Sequence, residues 1–348
     1  EHGLRNLFSL DGAFDALDLE DWRGNATLLA ETLGEDKMSG QFPVRKWEGF
    51  ENRRVWRAGN RGMVAGVLPE KPALGDFRAL VHGGFDLQYA PVFEYVEPGV
   101  RIVLCQLDVS GRTARAPEAE EAFAAVLEQA DRPLPGPAAK THVLERGGQV
   151  ARAFEALKIP FVAATSPEAA RSGDVLVVGP GAKCGSLKTL VERGVNVLVL
   201  GASDAEANAI LPGLGARACS RNEYPALNAS LRAHPALRGV SNADVQWTYP
   251  SALGGLARFG DDVLLARSIG KGVIVFSSIA PWVFDENEIA LRVNRRRASQ
   301  LVTRLACNLG AAPAPEFPDR LSARAADGFR LYADAPRQDD DPCRYYRW

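Results

Sequence analysis

Several stretches of this chain place nucleophilic or polar side chains where chemistry could be done. One is Gly201-Ala202-Ser203, which follows the apolar run VNVLVLG (Val195 to Gly201). A sharp turn from a strand into a helix lifts a Ser or Cys clear of the sheet and points it at a helix N-terminus. A serine there also needs a general base in hydrogen-bond reach. The other reading of Ser203 is a helix cap. Cys184 lies in GPGAKCGS (Gly179 to Ser186), a Gly-rich loop between a strand pattern and a helix pattern, where a helix dipole could lower a thiol pKa. The segment lacks both the GxGxxG spacing and the GK[ST] ending of a phosphate cradle, so it reads as a tight loop with Ser186 as an N-cap.

Gln106, Asp108, Ser110 and Arg112 form the best polar cluster. They follow the strand pattern RIVLC, which places them outside the carboxyl end of a sheet, where open α/β folds bind ligands. They also suit a plain turn into a capped helix. If the cluster is functional, a ligand rim or a domain interface fits it better than catalysis. Glycoside hydrolysis needs two carboxylates about 5 to 10 Å apart across a sugar. Asp76, Asp86, Glu94, Asp285, Glu286 and Glu288 are available, none in the setting of a barrel strand end, and most of them read as solvated charges. His2, His82, His142 and His234 show no metal-ligand spacing, and His82 before Gly83-Gly84 reads as a turn residue. Trp22, Trp47, Trp56, Trp247 and Trp282 could stack on sugar rings, but core packing is the plainer use.

The elements that would hold these residues are legible. After Pro133 to Ala139 come strand THVLE, helix GQVARAFEALK, strand IPFVAAT, strand DVLVVG, helix SLKTLVERG and strand VNVLVLG. Short β-branched runs alternating with helices of about ten residues predict βαβ units, hence a doubly wound, mainly parallel sheet covered on both faces. DVLLARSIGKGVIVFSSIAPW predicts a hairpin around Gly270 to Gly272, followed by a helix from Asp285 to Asn308. The first half repeats the end of this plan: Val92 to Val109 and a helix over Pro117 to Ala130 lie over Leu264 to Pro281 and the last helix. Arg5-Asn6 and Trp22 set against Arg221-Asn222 and Trp247 extend the match. An internal duplication follows, with the first copy lacking the equivalent of Lys140 to Ser220. The expected organisation is a truncated copy over 1–131, a linker over 132–139, a complete copy over 140–312 and a tail over 313–348. The strands kept by the first copy, around Met63 to Leu68, Phe77 to Val81 and Arg101 to Cys105, are expected to leave an open edge and an apolar patch.

GNRG, GGFDLQYAPVFEY, RIVLCQLDVSGRT and the closing DDPCRYYRW resemble the C-terminal region of large bacterial glycoside hydrolases of the β-galactosidase and family 2 type. In those proteins, domains similar to class I glutamine amidotransferases, such as the β-galactosidase trimerisation domain, follow the carbohydrate-processing part. The resemblance covers nearly the whole chain and includes no catalytic signature. It implies a flavodoxin-like, amidotransferase-like α/β fold and a parent acting on glycans. A working amidotransferase carries Gly-x-Cys-x-Gly at the elbow and a His-x-Glu after a late strand. Here Gly201-Ala202-Ser203 has no Cys, and Ser277 to Trp282 reads SSIAPW, so the elbow is degenerate.

The remaining limits come from composition. With 348 residues, 46% of them hydrophobic, two cored domains are expected. Net charge is −2, from 41 basic and 43 acidic residues, which gives no field for nucleic acid or an anionic membrane. Five scattered cysteines without a CxxC pair argue against a disulfide framework or a zinc site and read as mostly buried thiols. The opening EHGLRNLF reads as an excision from a longer polypeptide and leaves the compartment unassigned. The expected reading is a non-catalytic structural or interaction module needing no cofactor or metal. Its partners would be upstream catalytic domains of the same polypeptide, with a second copy of the chain and carbohydrate as further candidates. The rivals are a Cys or Ser hydrolase or amidotransferase using Cys184 or Ser203, and a carbohydrate-binding module using the Gln106 to Arg112 rim. The aromatic tail Asp339 to Trp348 is expected to dock on a surface.

Overall fold

The structure, a computed structural model, describes residues 8–9, 71–83, 89–105, 109, 117–134, 136–221, 234–240, 242–245, 256–259, 262–285, 287 and 291–315. The architecture is mixed α/β, with one antiparallel sheet and one mostly parallel six-stranded sheet. The described residues fall into two units, one of 8–9, 71–72 and 77–134, the other of 73–76 and 136–315.

In the first unit, β1 (Phe8–Ser9), β2 (Phe77–Gly83), β3 (Tyr89–Glu97) and β4 (Val100–Cys105) form an antiparallel sheet in that order, and α1 (Pro117–Asp131) follows. Strands β3 and β4 pair from Val92 opposite Cys105 to Glu97 opposite Val100. Pro98 and Gly99 close the hairpin, with Gly99 at φ 79, as a turn with a left-handed third residue requires. Strand alternation sorts the side chains. Phe77, Ala79, Phe93 and Tyr95 pack on one face, with the opposed Phe77 and Tyr95 rings 4.6 Å apart. The other face carries Arg78, Glu94 and Arg101, which Gln129 of α1 meets. Glu94, expected as a solvated charge, is thus a correction: it is buried between two arginines and an amide. His82, expected in a turn, lies in β2 opposite Phe8.

The second unit runs β5 (Thr141–Leu144), α2 (Gln149–Ala156), β6 (Val162–Ala163), β7 (Val175–Val178), α3 (Lys188–Glu192), β8 (Asn196–Leu200), α4 (Asp204–Ile210), β9 (Ala218–Arg221), α5 (Asn242–Val245), β10 (Leu256–Phe259), β11 (Leu264–Ile269), β12 (Gly272–Ser277) and α6 (Arg292–Asn308). The six-stranded sheet has the order β11-β12-β8-β7-β5-β6, with β11 antiparallel to β12 and every other pair parallel. β9 and β10 form a separate antiparallel ribbon. The core has two layers. Val143, Val175, Val177, Leu198, Leu200 and Val275 pack with Val150 and Phe154 of α2 and Leu301, Val302 and Leu305 of α6. Leu144, Leu176, Val178, Val197, Val199 and Phe276 pack with Leu190 and Val191 of α3 and Ala207 and Ile210 of α4. Both faces are covered, which is why VLVV and VLVL appear as unbroken apolar runs instead of alternating with polar residues.

The structure departs from the sequence reading at several element ends. α6 begins at Arg292 rather than Asp285, because Asp285 accepts the Asn287 N–H at 2.9 Å in a side-chain turn that competes with a helical start. IPFVAAT yields only Val162–Ala163, at the sheet edge after Pro160, which has no N–H to give to a ladder. α3 has Leu187, not Ser186, as its N-cap. Residues 73–76 join the second unit although they precede it by far. Thr303 of α6 donates to the Ala73 carbonyl at 2.9 Å, and Arg304 pairs with Asp76 at 2.7 Å. Cysteines are less buried than expected: Cys219 is exposed, and Cys105, Cys184 and Cys307 are intermediate. Met63 to Leu68, Arg5-Asn6, Trp22, Trp247, Cys343 and the tail from Asp339 lie outside the described residues.

Candidate functional site

In a parallel sheet the carboxyl ends of the strands are where ligands are met. Here β5 is followed by Glu145, β7 by Gly179, β8 by Gly201 and β12 by Ser278. The turn after β8 carries one left-handed residue, Gly201, at φ 60. A nucleophile held in that left-handed position would have no side chain here. A Cβ at Gly201 would stand 2.9 Å from Cζ2 and Nε1 of Trp282, so the indole fills the space a nucleophile would use.

Ser203 is the N-cap of α4. Its hydroxyl donates to Glu206 Oε2 at 2.7 Å and accepts the Glu206 N–H at 3.4 Å, while its own N–H donates to Glu206 Oε2 at 2.8 Å. This reciprocal capping box holds the hydroxyl against a carboxylate that caps the helix instead of against a histidine. Ala202 between them is partly buried against the α3 and α4 layer of the core. The other Glu206 oxygen accepts the Gly181 N–H at 2.6 Å. One backbone donor of the β7 turn, Gly181 N–H, and one of the β8 turn, Ser203 N–H, are thus held by a carboxylate of the same chain instead of being free for an oxyanion.

Burial raises the Glu206 carboxyl, but hydrogen bonds from the Ser203 hydroxyl, the Ser203 N–H and the Gly181 N–H outweigh it and hold the group below the ordinary carboxylate value. A carboxyl lowered on folding adds stability above its unfolded pKa, and that stability is lost as pH falls through the folded value. We expect Glu206→Gln to melt below wild type at pH 6 and the gap to narrow between about pH 5 and 3. Thermal melts across that range test this, and a gap that stays constant with pH would refute it.

Cys184 fits no nucleophile role. Burial first, and then the Glu206 charge, raise its thiol above the usual cysteine value, the opposite of thiolate activation. His142 and His234 are engaged elsewhere. His142 Nε2 lies 3.2 Å from Asp174 Oδ2, His234 Nε2 lies 3.0 Å from Ser268 Oγ, and His234 Nδ1 accepts the Ala236 N–H. Neither of these two histidines hydrogen-bonds Ser203 or Cys184. Glu145 at the end of β5 accepts the Val150 and Ala151 N–H groups at 2.9 and 2.8 Å, which closes the start of α2. Ser277 donates to the Ile279 carbonyl at 2.8 Å.

Gln106, Asp108, Ser110 and Arg112 lie outside the described residues. The role of Glu206 was missed in the sequence, although Ser203-x-x-Glu206 before Ala207 and Ile210 is the capping-box pattern. Trp282 over Gly201 carries no local signal. Among the described residues no group of three or more His, Cys, Asp or Glu could hold a metal ion, and no helix is long and apolar enough to cross a membrane. Compared with family models, characterised proteins and solved structures, the chain matches none.

Proposed function

We propose that this chain is a non-catalytic structural and interaction module belonging to a carbohydrate-processing enzyme of the β-galactosidase type, and that it packs beside that enzyme's catalytic domains. The observation that carries the reading is the carboxyl edge of the six-stranded sheet, where the donors and acceptors described above are consumed internally. Gly201 has no side chain under Trp282, Ser203 and Gly181 are held by Glu206, and Glu145 caps α2. Catalysis needs such groups free and aimed at a reacting atom.

On the finer fold, the strand order of the parallel section, β6-β5-β7-β8-β12, and the helices on both faces support a doubly wound, flavodoxin-like and amidotransferase-like domain. The duplication is supported by two hairpins of equal length, β3–β4 and β11–β12, each with a two-residue turn and each followed by a long helix. An interaction role is supported by the outer side of α1. There Phe123 and Leu127, one turn apart, are 44% and 54% exposed, while Ala122 and Ala125 are buried. The glycan context rests on the resemblance of RIVLCQLDVSGRT and its companion phrases.

The purified chain is expected to hydrolyse neither aryl glycosides nor glutamine. Release of nitrophenol from nitrophenyl glycosides and of ammonia from glutamine measures this. Turnover abolished by Cys184→Ala or Ser203→Ala would overturn the reading in favour of a hydrolase.

A further inference from the structure

A cavity of the second unit lies beside β11, the edge strand of the six-stranded sheet. The loop Leu211 to Arg217 leaves α4 and enters β9, and beside it a concavity of about 500 Å³ is lined by Gly215, Ala216, Arg217, Cys219, Phe259, Leu265 and Arg267. A second, more open hollow of about 660 Å³ shares Gly215, Ala216 and Arg217 with it. Among the described residues, the lining combines two guanidinium groups with the apolar side chains of Phe259 and Leu265 and contains no carboxylate. Arg217 and Arg267 have no carboxylate partner among the described residues, unlike Arg78 and Arg101, which pair with Glu94, and Arg304, which pairs with Asp76. Arg267 donates to its neighbour's carbonyl at Ala266.

The loop adds backbone donors. Gly215 is left-handed, at φ 66, and a Cβ there would meet nothing within 4 Å, so its backbone borders open space. The flanking N–H groups are fixed, Leu214 to the Leu211 carbonyl and Ala218 to Asn208 Oδ1, whereas those of Gly215, Ala216 and Arg217 have no acceptor among the described residues. Successive free N–H groups around a left-handed residue form an anion-binding concavity, and guanidinium groups bind carboxylate or phosphate with paired hydrogen bonds. Phe259 and Leu265 supply an apolar wall.

From this geometry we infer that the cavity bounded by Arg217, Arg267, Phe259 and Leu265 binds a small organic anion, its carboxylate or phosphate on the arginines and its apolar body against Phe259. The site is independent of the non-catalytic reading of the sheet edge. Calorimetric titration of the purified chain with phenyl phosphate, benzoate and inorganic phosphate tests it, with iodoacetamide labelling of exposed Cys219, read by peptide mass, as a second measurement. Saturable binding of phenyl phosphate or benzoate is expected, weakened at least about tenfold by Arg217→Gln and by Arg267→Gln, with slower labelling of Cys219 when ligand is bound. The better ligand of the two identifies the head group. Arg217 and Arg267 are exposed, so both variants should melt as wild type does. No binding up to about 10 mM, a range that corresponds to less than about 3 kcal/mol, would overturn the inference. So would binding that both variants retain, or inorganic phosphate binding as tightly as phenyl phosphate.

Discussion

Gly201→Cys, which writes a thiol into the elbow after β8, is expected to destabilise the second unit without creating a hydrolase. Two costs add. A residue with a Cβ at φ 60 costs about 1 to 2 kcal/mol relative to glycine. The new Cβ would also sit 2.9 Å from the Trp282 ring, and relieving that overlap costs about a further 1 to 3 kcal/mol. A total near 3 kcal/mol is a large part of the stability of an ordinary domain. Urea melts of Gly201→Ala and Gly201→Cys measure the sum, and a cycle with Trp282→Ala separates its parts. With the indole gone, the steric share should vanish and the backbone share remain. If Gly201→Ala melts within about 0.5 kcal/mol of wild type, the elbow is not closed by Trp282, and the main support for the non-catalytic reading is lost.

Much of this site was open to reading in the sequence, and the division between what was legible and what was not is physical. β7 and β8 were legible because a strand buried on both faces must be continuously apolar, and VLVV and NVLVL have few other uses. The lack of an elbow nucleophile was legible because it concerns the residues of a single turn. The partner covering that turn was not, since Trp282 reaches Gly201 only after β12 pairs beside β8. Ser203 and Glu206 are local, and their pattern was present. The start of α6 was misread because helix periodicity continues upstream through Asp285, while the choice was made by one side-chain hydrogen bond to Asn287. Glu94 was misread for a general reason: a charge that alternates with apolar residues along a strand looks like a solvated face. Only the arrival of α1 with Gln129 turns that face inward.

That buried cluster gives the largest effect expected in the first unit. Glu94 lies between the Arg78 and Arg101 guanidinium groups, with Arg101 Nε 3.5 Å from its carboxylate, and Gln129 donates to it from α1. The cluster carries two positive charges and one negative, all largely shielded from water. The matching hairpin of the second unit has Ala266 where Glu94 stands and Val273 where Arg101 stands, counted from the two turns. Ala266 belongs there to an apolar cluster with Leu301 and Leu305, and Val273 packs against it. One hairpin geometry is therefore filled by ions in the first unit and by hydrocarbon in the second. Removing one member of a buried ion cluster leaves an uncompensated charge in low dielectric, at about 3 to 5 kcal/mol. Glu94→Ala should thus collapse the protection of amides in 77–134, while those of 136–315 serve as the reference in the same hydrogen-exchange experiment. Because β4 is only half-buried along its length, the unit has little reserve to absorb the loss. Replacing the cluster as a whole, Arg78→Met with Glu94→Leu, Arg101→Val and Gln129→Leu, should restore protection or raise it, since well-packed apolar residues often match or exceed a buried ion network. If Glu94→Ala leaves the protection of β2 to β4 unchanged, the cluster is hydrated rather than buried. If the fourfold apolar variant is as unstable as Glu94→Ala, the ions are needed for the packing of α1, and the second hairpin is no guide to the first.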